Sequence, residues 1–204
     1  MRGLYLVTPN WNDTERLLAA TEAALRGGAA LVQYRHKDAD AVLRIEQATA
    51  LLALCRRHGC PLVINDHPDL CQAIGADGVH LGHTDQAIAA ARALLGPAKI
   101  VGASCYGELA LARAARNAGA SYLAFGGFYP SPVKQYTFVT PPILLDQARA
   151  EFTLPLVVIG GMTPANAAPL VARGADMVAA ITSVYGAADP HTAAHAFGSL
   201  FSPG

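Results

Sequence analysis

The sequence predicts an α/β fold, a single (β/α)8 TIM barrel in which residues 1–204 form one domain. Short apolar runs alternate with longer segments of helical period from one end of the chain to the other. The short runs are apolar throughout, which is typical of parallel strands covered by helices. Eight such runs can be counted. Eight consecutive strand–helix units favour a closed barrel over an open sheet.

The predicted strands are Gly3–Val7, Leu31–Arg35, Leu62–Asn65, Gly78–Leu81, Ile100–Ser104, Tyr122–Gly126, Leu156–Ile159 and Met177–Thr182. Helical segments between them include Thr14–Arg26, Ala41–Arg57, Gln86–Leu95 and Leu109–Asn117. A Gly-Ala pair precedes every second strand, beginning at Gly28, Gly75, Gly119 and Gly174. Glycine there fits the left-handed residue that ends a helix before the chain turns into a strand.

Composition excludes several classes of protein. The 15 basic residues balance the 15 acidic ones, so no bulk charge attracts nucleic acid or an anionic membrane. No apolar run approaches the roughly eighteen residues of a membrane-spanning helix, and Gly3–Val7 is too short for a signal-peptide core. The four cysteines and seven histidines show no zinc-ligand spacing. We expect free thiols in a reducing, cytoplasmic compartment; a homo-oligomer is left open.

Cationic residues cluster where an active site is expected. Reacting groups of a barrel lie at the carboxyl ends of its strands and in the loops that follow. Arg35 and Lys37 follow the second strand and Lys134 follows the sixth, so we expect them to converge on one anionic ligand. The alternative for Arg35 is a structural ion pair with Asp66 at the rim.

Two carboxylates, a pair of glycines and a pair of hydroxyl residues lie at other strand ends. Asp66 and Asp85 suit Mg²⁺, which prefers oxygen ligands and often shares a diphosphate, but Asp85 could equally cap the following helix. Gly160-Gly161 and Thr182-Ser183 suit a phosphate site after the last two strands, although Gly-Gly also serves as an ordinary turn.

A nucleophilic mechanism has little support in the sequence. Ser104 has no adjacent histidine, and no Gly-x-Ser-x-Gly motif exists. His36, His80 and His83 could act as acid or base, or could only make hydrogen bonds.

Taken together, the motifs resemble the thiamine-phosphate synthase family over nearly the whole chain. The matching motifs are Leu4–Thr8, Val-Gln-x-Arg-x-Lys at Val32–Lys37, Ile-Asn-Asp at Ile64–Asp66, Ala76–Asp85, Gly-x-Ser at Gly102–Ser104 and Ile-Gly-Gly at Ile159–Gly161. Each is short, but their order and their places at strand ends make the set specific.

The resemblance implies roles for particular residues. Those matched to a hydroxymethylpyrimidine diphosphate site are Gln33, Tyr34, Arg35, His36, Lys37, Asn65, Ser104 and Lys134, with Arg35, Ser104 and Lys134 as the catalytic set. Those matched to a thiazole phosphate site are Ser131, Pro132, Val133, Gly161, Ile181 and Thr182. Asp66 and Asp85 match the ligands of a Mg²⁺ cofactor.

The implied reaction joins the two rings through a carbon–nitrogen bond and expels pyrophosphate, so the expected partners are small phosphorylated molecules. Two residues depart from the family pattern. Val133 stands where the family has threonine, and Tyr106 stands where it often has histidine. The alternatives are a metal-independent isomerase, similar to the related thiazole tautomerase, and a non-catalytic protein that binds a phosphorylated ligand.

Overall fold

The structure, a computed structural model, is a closed barrel of parallel strands in chain order. It describes residues 1–82, 85–131 and 138–202, and only the backbone of Asp85 and Gln86. The strands are β1 Gly3–Val7, β2 Ala29–Tyr34, β3 Leu62–Asn65, β4 Gly78–Leu81, β5 Ile100–Tyr106, β6 Tyr122–Gly126, β7 Leu156–Ile159 and β8 Met177–Ala180. Parallel pairing of β8 with β1 closes the sheet, which confirms the predicted fold class.

Helices cover the outer face of the barrel. In the described residues they are α1 Thr14–Arg26, α2 Ala41–Arg57, α3 Pro68–Ile74, α4 Asp85–Leu95, α5 Leu109–Asn117, α6 Ile143–Glu151, α7 Pro164–Ala172, α8 Thr182–Tyr185 and α9 Pro190–Gly198. A 3-10 turn follows at Ser199–Phe201. None of these helices is both long enough and apolar enough to cross a membrane.

Three strands differ from their predicted bounds. β2 begins at Ala29, because that residue already pairs with Leu4 of β1. β5 continues past an irregularity to Tyr106, which pairs with Phe125 of β6. β8 ends at Ala180, and Thr182, predicted to lie in the strand, instead begins the short helix α8.

The apolar core has two layers. The larger layer fills the space between the sheet and the helices, and includes Leu6, Leu51 and Ile64. The smaller layer fills the barrel interior and consists of Tyr5, Val7, Leu31, Val63, Tyr122, Ala124, Val157, Met177 and Ala179. Successive side chains of a strand point to opposite faces, so six strands contribute buried residues to both layers, namely β1, β2, β3, β6, β7 and β8. This arrangement explains why the strand runs are apolar throughout.

The repeated Gly-Ala pair marks the amino ends of β2, β4, β6 and β8. The glycines have the predicted positive φ, namely 96° at Gly28, 72° at Gly75, 94° at Gly119 and 97° at Gly174. Only glycine adopts this conformation without steric cost. The prediction for this repeat is therefore confirmed.

Arginines from the helices hold three of these four junctions. Each arginine donates a hydrogen bond to the carbonyl oxygen of a repeat glycine: Arg56 of α2 to Gly75 at 3.1 Å, Arg92 of α4 to Gly119 at 2.8 Å, and Arg149 of α6 to Gly174 at 3.1 Å. The side chain two residues after each of these three glycines accepts a hydrogen bond from a backbone N–H at the start of the neighbouring strand. The donor–acceptor pairs are Leu62–Asp77, Val101–Ser121 and Leu156–Asp176. We call this set of contacts the barrel floor.

Candidate active site

A cavity of about 460 Å³ opens at the opposite end of the barrel, where the strands terminate. All eight strands contribute a lining residue, from Tyr5 of β1 to Ala179 of β8. The structure brings ten of the sequence-predicted residues to this cavity: Gln33, Arg35, Lys37, Asn65, Asp66, Ser104, Ser131, Gly161, Ile181 and Thr182. Of these, Arg35, Lys37, Asp66, Gly161 and Thr182 were predicted from their places at strand ends, independently of the family resemblance.

Tyr34 and His36 are not brought to this cavity. Tyr34 follows Gln33 in β2 and points to the opposite face of the sheet, where its hydroxyl donates to Gln47 Oε1 at 3.1 Å. His36 Nε2 lies 3.0 Å from Asn12 Oδ1. Both residues line a smaller neighbouring cleft instead. Alternation along the strand therefore places these two side chains outside the main cavity, and their contact with the pyrimidine diphosphate stays a prediction.

Several predicted residues lie outside the described part of the chain. These are His83, Pro132, Val133 and Lys134, together with the side chain of Asp85. The backbone shows that Asp85 is the first residue of α4. The choice between metal binding and helix capping by its carboxylate stays open.

Two lining residues have an unusual backbone. Asp66 and Tyr106 have φ of 57° and 50°, and among the described residues they are the only non-glycine ones with positive φ. A residue held there costs about 1–3 kcal/mol and persists only when its surroundings require it, often at a functional site. Asp66 N–H donates to the His80 carbonyl at 2.9 Å, and Asn65 Nδ2 donates to Asp66 Oδ2 at 2.7 Å. These bonds fix the carboxylate at the cavity mouth.

The predicted alternative for Arg35 was an ion pair with Asp66. The ion pairs found between described residues are His58–Glu22, Arg113–Glu151, Arg149–Asp176 and Arg173–Asp146. None of them joins Arg35 to Asp66. Within the described residues, both side chains line the cavity without that pair.

The deepest polar groups form a continuous chain of hydrogen bonds. Gln33 Nε2 donates to Tyr5 Oη, which lies 2.7 Å from Tyr122 Oη. Tyr122 Oη lies 2.8 Å from His80 Nδ1, and His80 Nε2 lies 2.9 Å from Ser104 Oγ. Gln33 and Ser104 both line the cavity. The chain therefore links two cavity residues through the interior of the barrel.

Gly102 allows two strands that are not neighbours to touch. It pairs with His80 of β4 on one side and with Tyr122 of β6 on the other. The His80 and Tyr122 rings stack across it, with centroids 5.7 Å apart and planes 17° apart. A Cβ at position 102 would lie 2.0 Å from Tyr122 Cζ. Glycine is therefore required here by close approach.

Burial raises the pKa of the Tyr5 and Tyr122 hydroxyls, because ionisation would place a charge inside the barrel. Both phenols consequently keep their protons throughout the physiological range. Sequence reasoning considered His80 but missed both tyrosines. The signal was present: each tyrosine occupies an inward position of an otherwise apolar strand, where an unpaired hydroxyl would be costly.

The glycines after β7 form a tight turn at the other side of the cavity. Gly161 has a φ of 59°, and a Cβ there would lie 2.2 Å from the Pro130 carbonyl oxygen. Asn166 Nδ2 donates to the Gly161 carbonyl at 2.9 Å, and Thr163 caps α7. The turn therefore needs glycine for its own packing and also exposes backbone to the cavity. Thr163 and Met162 line the cavity as well, and sequence reasoning missed them.

The residues at the mouth can be tested as metal ligands. The described residues contain no group of three or more His, Cys, Asp or Glu side chains placed to hold an ion. Mg²⁺ does not need such a cage, since it is usually held by one or two carboxylates and the phosphates of a substrate. The exposed carboxylate of Asp66, fixed by Asn65, fits that requirement.

Comparison with known proteins agrees with this arrangement. Residues 4–184 match the sequence profile of the thiamine monophosphate synthase family. The chain is 61% identical over 202 residues to the thiamine-phosphate synthase of Janthinobacterium sp. (strain Marseille), covering 99% of this chain and 98% of that protein. It is 53% identical to that of Thiobacillus denitrificans, covering 98% and 95%. The solved structure of thiamine phosphate pyrophosphorylase from Pyrococcus furiosus superposes with a TM-score of 0.85 at 31% identity, covering 97% and 94%.

Proposed function

Because the chain belongs to the thiamine monophosphate synthase family, we propose that it joins a hydroxymethylpyrimidine diphosphate to a thiazole phosphate, giving thiamine phosphate and pyrophosphate. The chain is an enzyme of thiamine biosynthesis and a transferase. Its substrates are small phosphorylated molecules. The observation that carries the specific reaction is that one cavity has cations and a carboxylate at one side and a glycine turn with hydroxyls at the other.

The cation side suits the diphosphate. Arg35 can bind a phosphate through two parallel N–H donors, and Lys37 adds a point charge. Both side chains line the cavity beside Asn65 and Asp66. Charge on the departing diphosphate grows as its bond to carbon breaks, so these cations stabilise the transition state more than the bound substrate. Lys134 stays a predicted third cation, on its place after the sixth strand and on the family resemblance.

A bound Mg²⁺ would neutralise part of the diphosphate charge. Asp66 is the described residue that would hold it, and Asp85 is the predicted second ligand. The protein contributes the position of the Asp66 carboxylate, which the left-handed backbone and the bond from Asn65 fix.

The glycine side suits the thiazole phosphate. Gly161 brings backbone close to the cavity, while Ser131 and Thr182 supply hydroxyl donors there. The cavity lining also includes apolar side chains, among them Val7, Ala124, Val157 and Ile159. Apolar surface of this kind excludes water from the reacting centre and packs against the flat rings.

The reaction itself needs little acid–base work from the protein. The carbon–oxygen bond to the diphosphate breaks and its electron pair leaves with the oxygen. The resulting benzyl-like cation is stabilised by the electron-rich pyrimidine. The lone pair of the thiazole nitrogen then forms the new carbon–nitrogen bond. Positioning and charge neutralisation are therefore the main tasks of the residues around the cavity.

The decisive experiment is to mix the purified protein with both phosphorylated rings and Mg²⁺ and to follow thiamine phosphate and pyrophosphate by phosphorus NMR. Equimolar appearance of both products supports the proposal, and chelation of Mg²⁺ should abolish it. Isomerisation of a thiazole without metal would favour the tautomerase alternative. Calorimetric binding of both rings without product would favour a non-catalytic role. Either result would overturn the proposal.

A further inference from the structure

The hydrogen-bond chain from Gln33 to Ser104 joins groups that differ in whether they can donate or accept. We propose that the chain has a single direction, from Gln33 to Ser104, and that this direction makes Ser104 a hydrogen-bond donor toward the cavity. Tyr5, Tyr122 and His80 are then positioning residues, because they act on the ligand only through Ser104 and Gln33.

The direction follows from counting hydrogens. An amide nitrogen can only donate, so Gln33 Nε2 leaves Tyr5 Oη as the acceptor. Each phenol has one hydrogen. A phenol oxygen can accept two hydrogen bonds, so Tyr122 could also donate to Tyr5, but the buried hydrogen of Tyr5 would then have no acceptor among the described residues, which is costly. We therefore infer that Tyr5 donates to Tyr122 Oη, 2.7 Å away, and that Tyr122 donates to His80 Nδ1, 2.8 Å away. Both phenols are fully buried, so they keep these hydrogens.

The same count fixes the histidine and the serine. With Nδ1 as an acceptor, a neutral His80 carries its hydrogen on Nε2, and that hydrogen points to Ser104 Oγ at 2.9 Å. The hydroxyl hydrogen of Ser104 remains for a ligand in the cavity. If the Gln33 amide were turned over, every bond would reverse and Ser104 would donate to His80 instead.

The functional consequence rests on the proposed function. Phosphate oxygens accept hydrogen bonds, so a hydroxyl can bind a diphosphate only if its own hydrogen is available to donate. At the other end, Gln33 directs its nitrogen into the chain, which leaves its amide oxygen to accept from an amino group. The chain therefore prepares an acceptor for the aminopyrimidine ring and a donor for the diphosphate of one substrate.

The direct test is the tautomer of His80 in the ligand-free protein, read from nitrogen NMR of histidine-labelled protein. The His80 signals are assigned by their loss in His80→Gln. We expect Nε2 to be protonated and Nδ1 to be unprotonated at about pH 8. A proton on Nδ1, alone or together with Nε2, would overturn the proposal. This result does not depend on turnover, so it is separate from any failure of the proposed reaction.

A matched pair of variants tests whether the tautomer depends on the chain. Tyr122→Phe removes the hydroxyl that donates to His80. Tyr185→Phe also removes one buried phenol hydroxyl, but that hydroxyl is bonded to Thr21 outside the barrel, at 2.8 Å. We expect the His80 nitrogen signals to shift in Tyr122→Phe and to stay unchanged in Tyr185→Phe. Equal shifts in both variants, or none in either, would contradict the chain.

The kinetic test asks whether Tyr122 acts through Ser104. Tyr122→Phe should lower kcat/KM for the pyrimidine diphosphate roughly two- to tenfold, the range that one ordinary hydrogen bond contributes. The same substitution should have almost no effect in a Ser104→Ala background, because the hydroxyl that it orients is already absent. An equal reduction in both backgrounds would show that Tyr122 has a structural role only.

Discussion

Gly102→Ala tests the packing on which the interior of the barrel depends. The new Cβ would lie 2.0 Å from Tyr122 Cζ and 2.1 Å from its hydroxyl oxygen. The ring has nowhere to move, since it is fully buried, stacked on His80 and in edge contact with Tyr5. Inserting a methyl group into a well-packed core costs about 1–3 kcal/mol. Displacing the hydroxyl from its bonds to Tyr5 and His80 adds about 1 kcal/mol for each bond.

We therefore expect Gly102→Ala to lower the free energy of unfolding by about 3–5 kcal/mol, a large part of the 5–15 kcal/mol of a typical domain. Urea unfolding followed by circular dichroism measures this change. Gly198→Ala is the matched control. It lies in α9, and the nearest atom to its added Cβ is the Gly27 carbonyl oxygen at 3.9 Å, so the helix should gain up to about 1 kcal/mol. A loss below about 1 kcal/mol in Gly102→Ala would refute the packing argument.

Three further predictions separate the cavity from the rest of the barrel. Asp66→Asn keeps a residue that tolerates positive φ, so the free energy of unfolding should change by less than about 0.5 kcal/mol. Turnover should fall at least roughly tenfold, because the carboxylate that would hold Mg²⁺ is lost. Unchanged turnover at low Mg²⁺ would contradict the metal assignment. Arg92→Leu removes hydrogen bonds to the carbonyls of Gly96, Lys99 and Gly119 and should cost about 2–4 kcal/mol in urea unfolding, with the kcat of the folded enzyme unchanged. Burial raises the pKa of the thiols of Cys55, Cys60, Cys71 and Cys105, to about 11 at Cys71 and to about 12 at Cys60 and Cys105, so each thiol stays neutral at pH 8. Alkylation of these thiols should therefore be slow in the native protein and should accelerate only when the protein unfolds.

Much of the fold could be predicted because its signals are local. Five strands have their predicted bounds, since each is a short, mostly apolar run bounded on both sides by polar residues, glycine or proline. The conformation of the Gly-Ala repeat could also be predicted from the sequence, because the positive φ that ends the helix depends on the glycine itself. The end of β8 was missed for the opposite reason. Ile181 continues the apolar run, but its backbone has already left the strand, with φ −121° and ψ −82°.

The site was predicted less completely because its contacts are not local. Treating residues 33–37 as one binding motif included Tyr34 and His36, although alternation turns Tyr34 to the outer layer of the barrel. Tyr5 and Tyr122 meet although 117 positions separate them in the chain. The stacking of Tyr122 on His80 also requires glycine at position 102, because a side chain there would overlap the Tyr122 ring. No pattern within a single strand contains that information.

The two ends of the barrel show why such a site can exist in this fold. At the mouth, Asp66 and Tyr106 are held in a backbone conformation that costs each of them free energy. At the floor, arginines and acceptor side chains hold three of the four repeat junctions with bonds that contact no cavity residue. Because stability comes from one end and from the core, the other end is free to keep strained and polar residues. Substitutions at the floor should therefore lower the free energy of unfolding without changing kcat, and substitutions at the mouth should lower kcat without changing the free energy of unfolding.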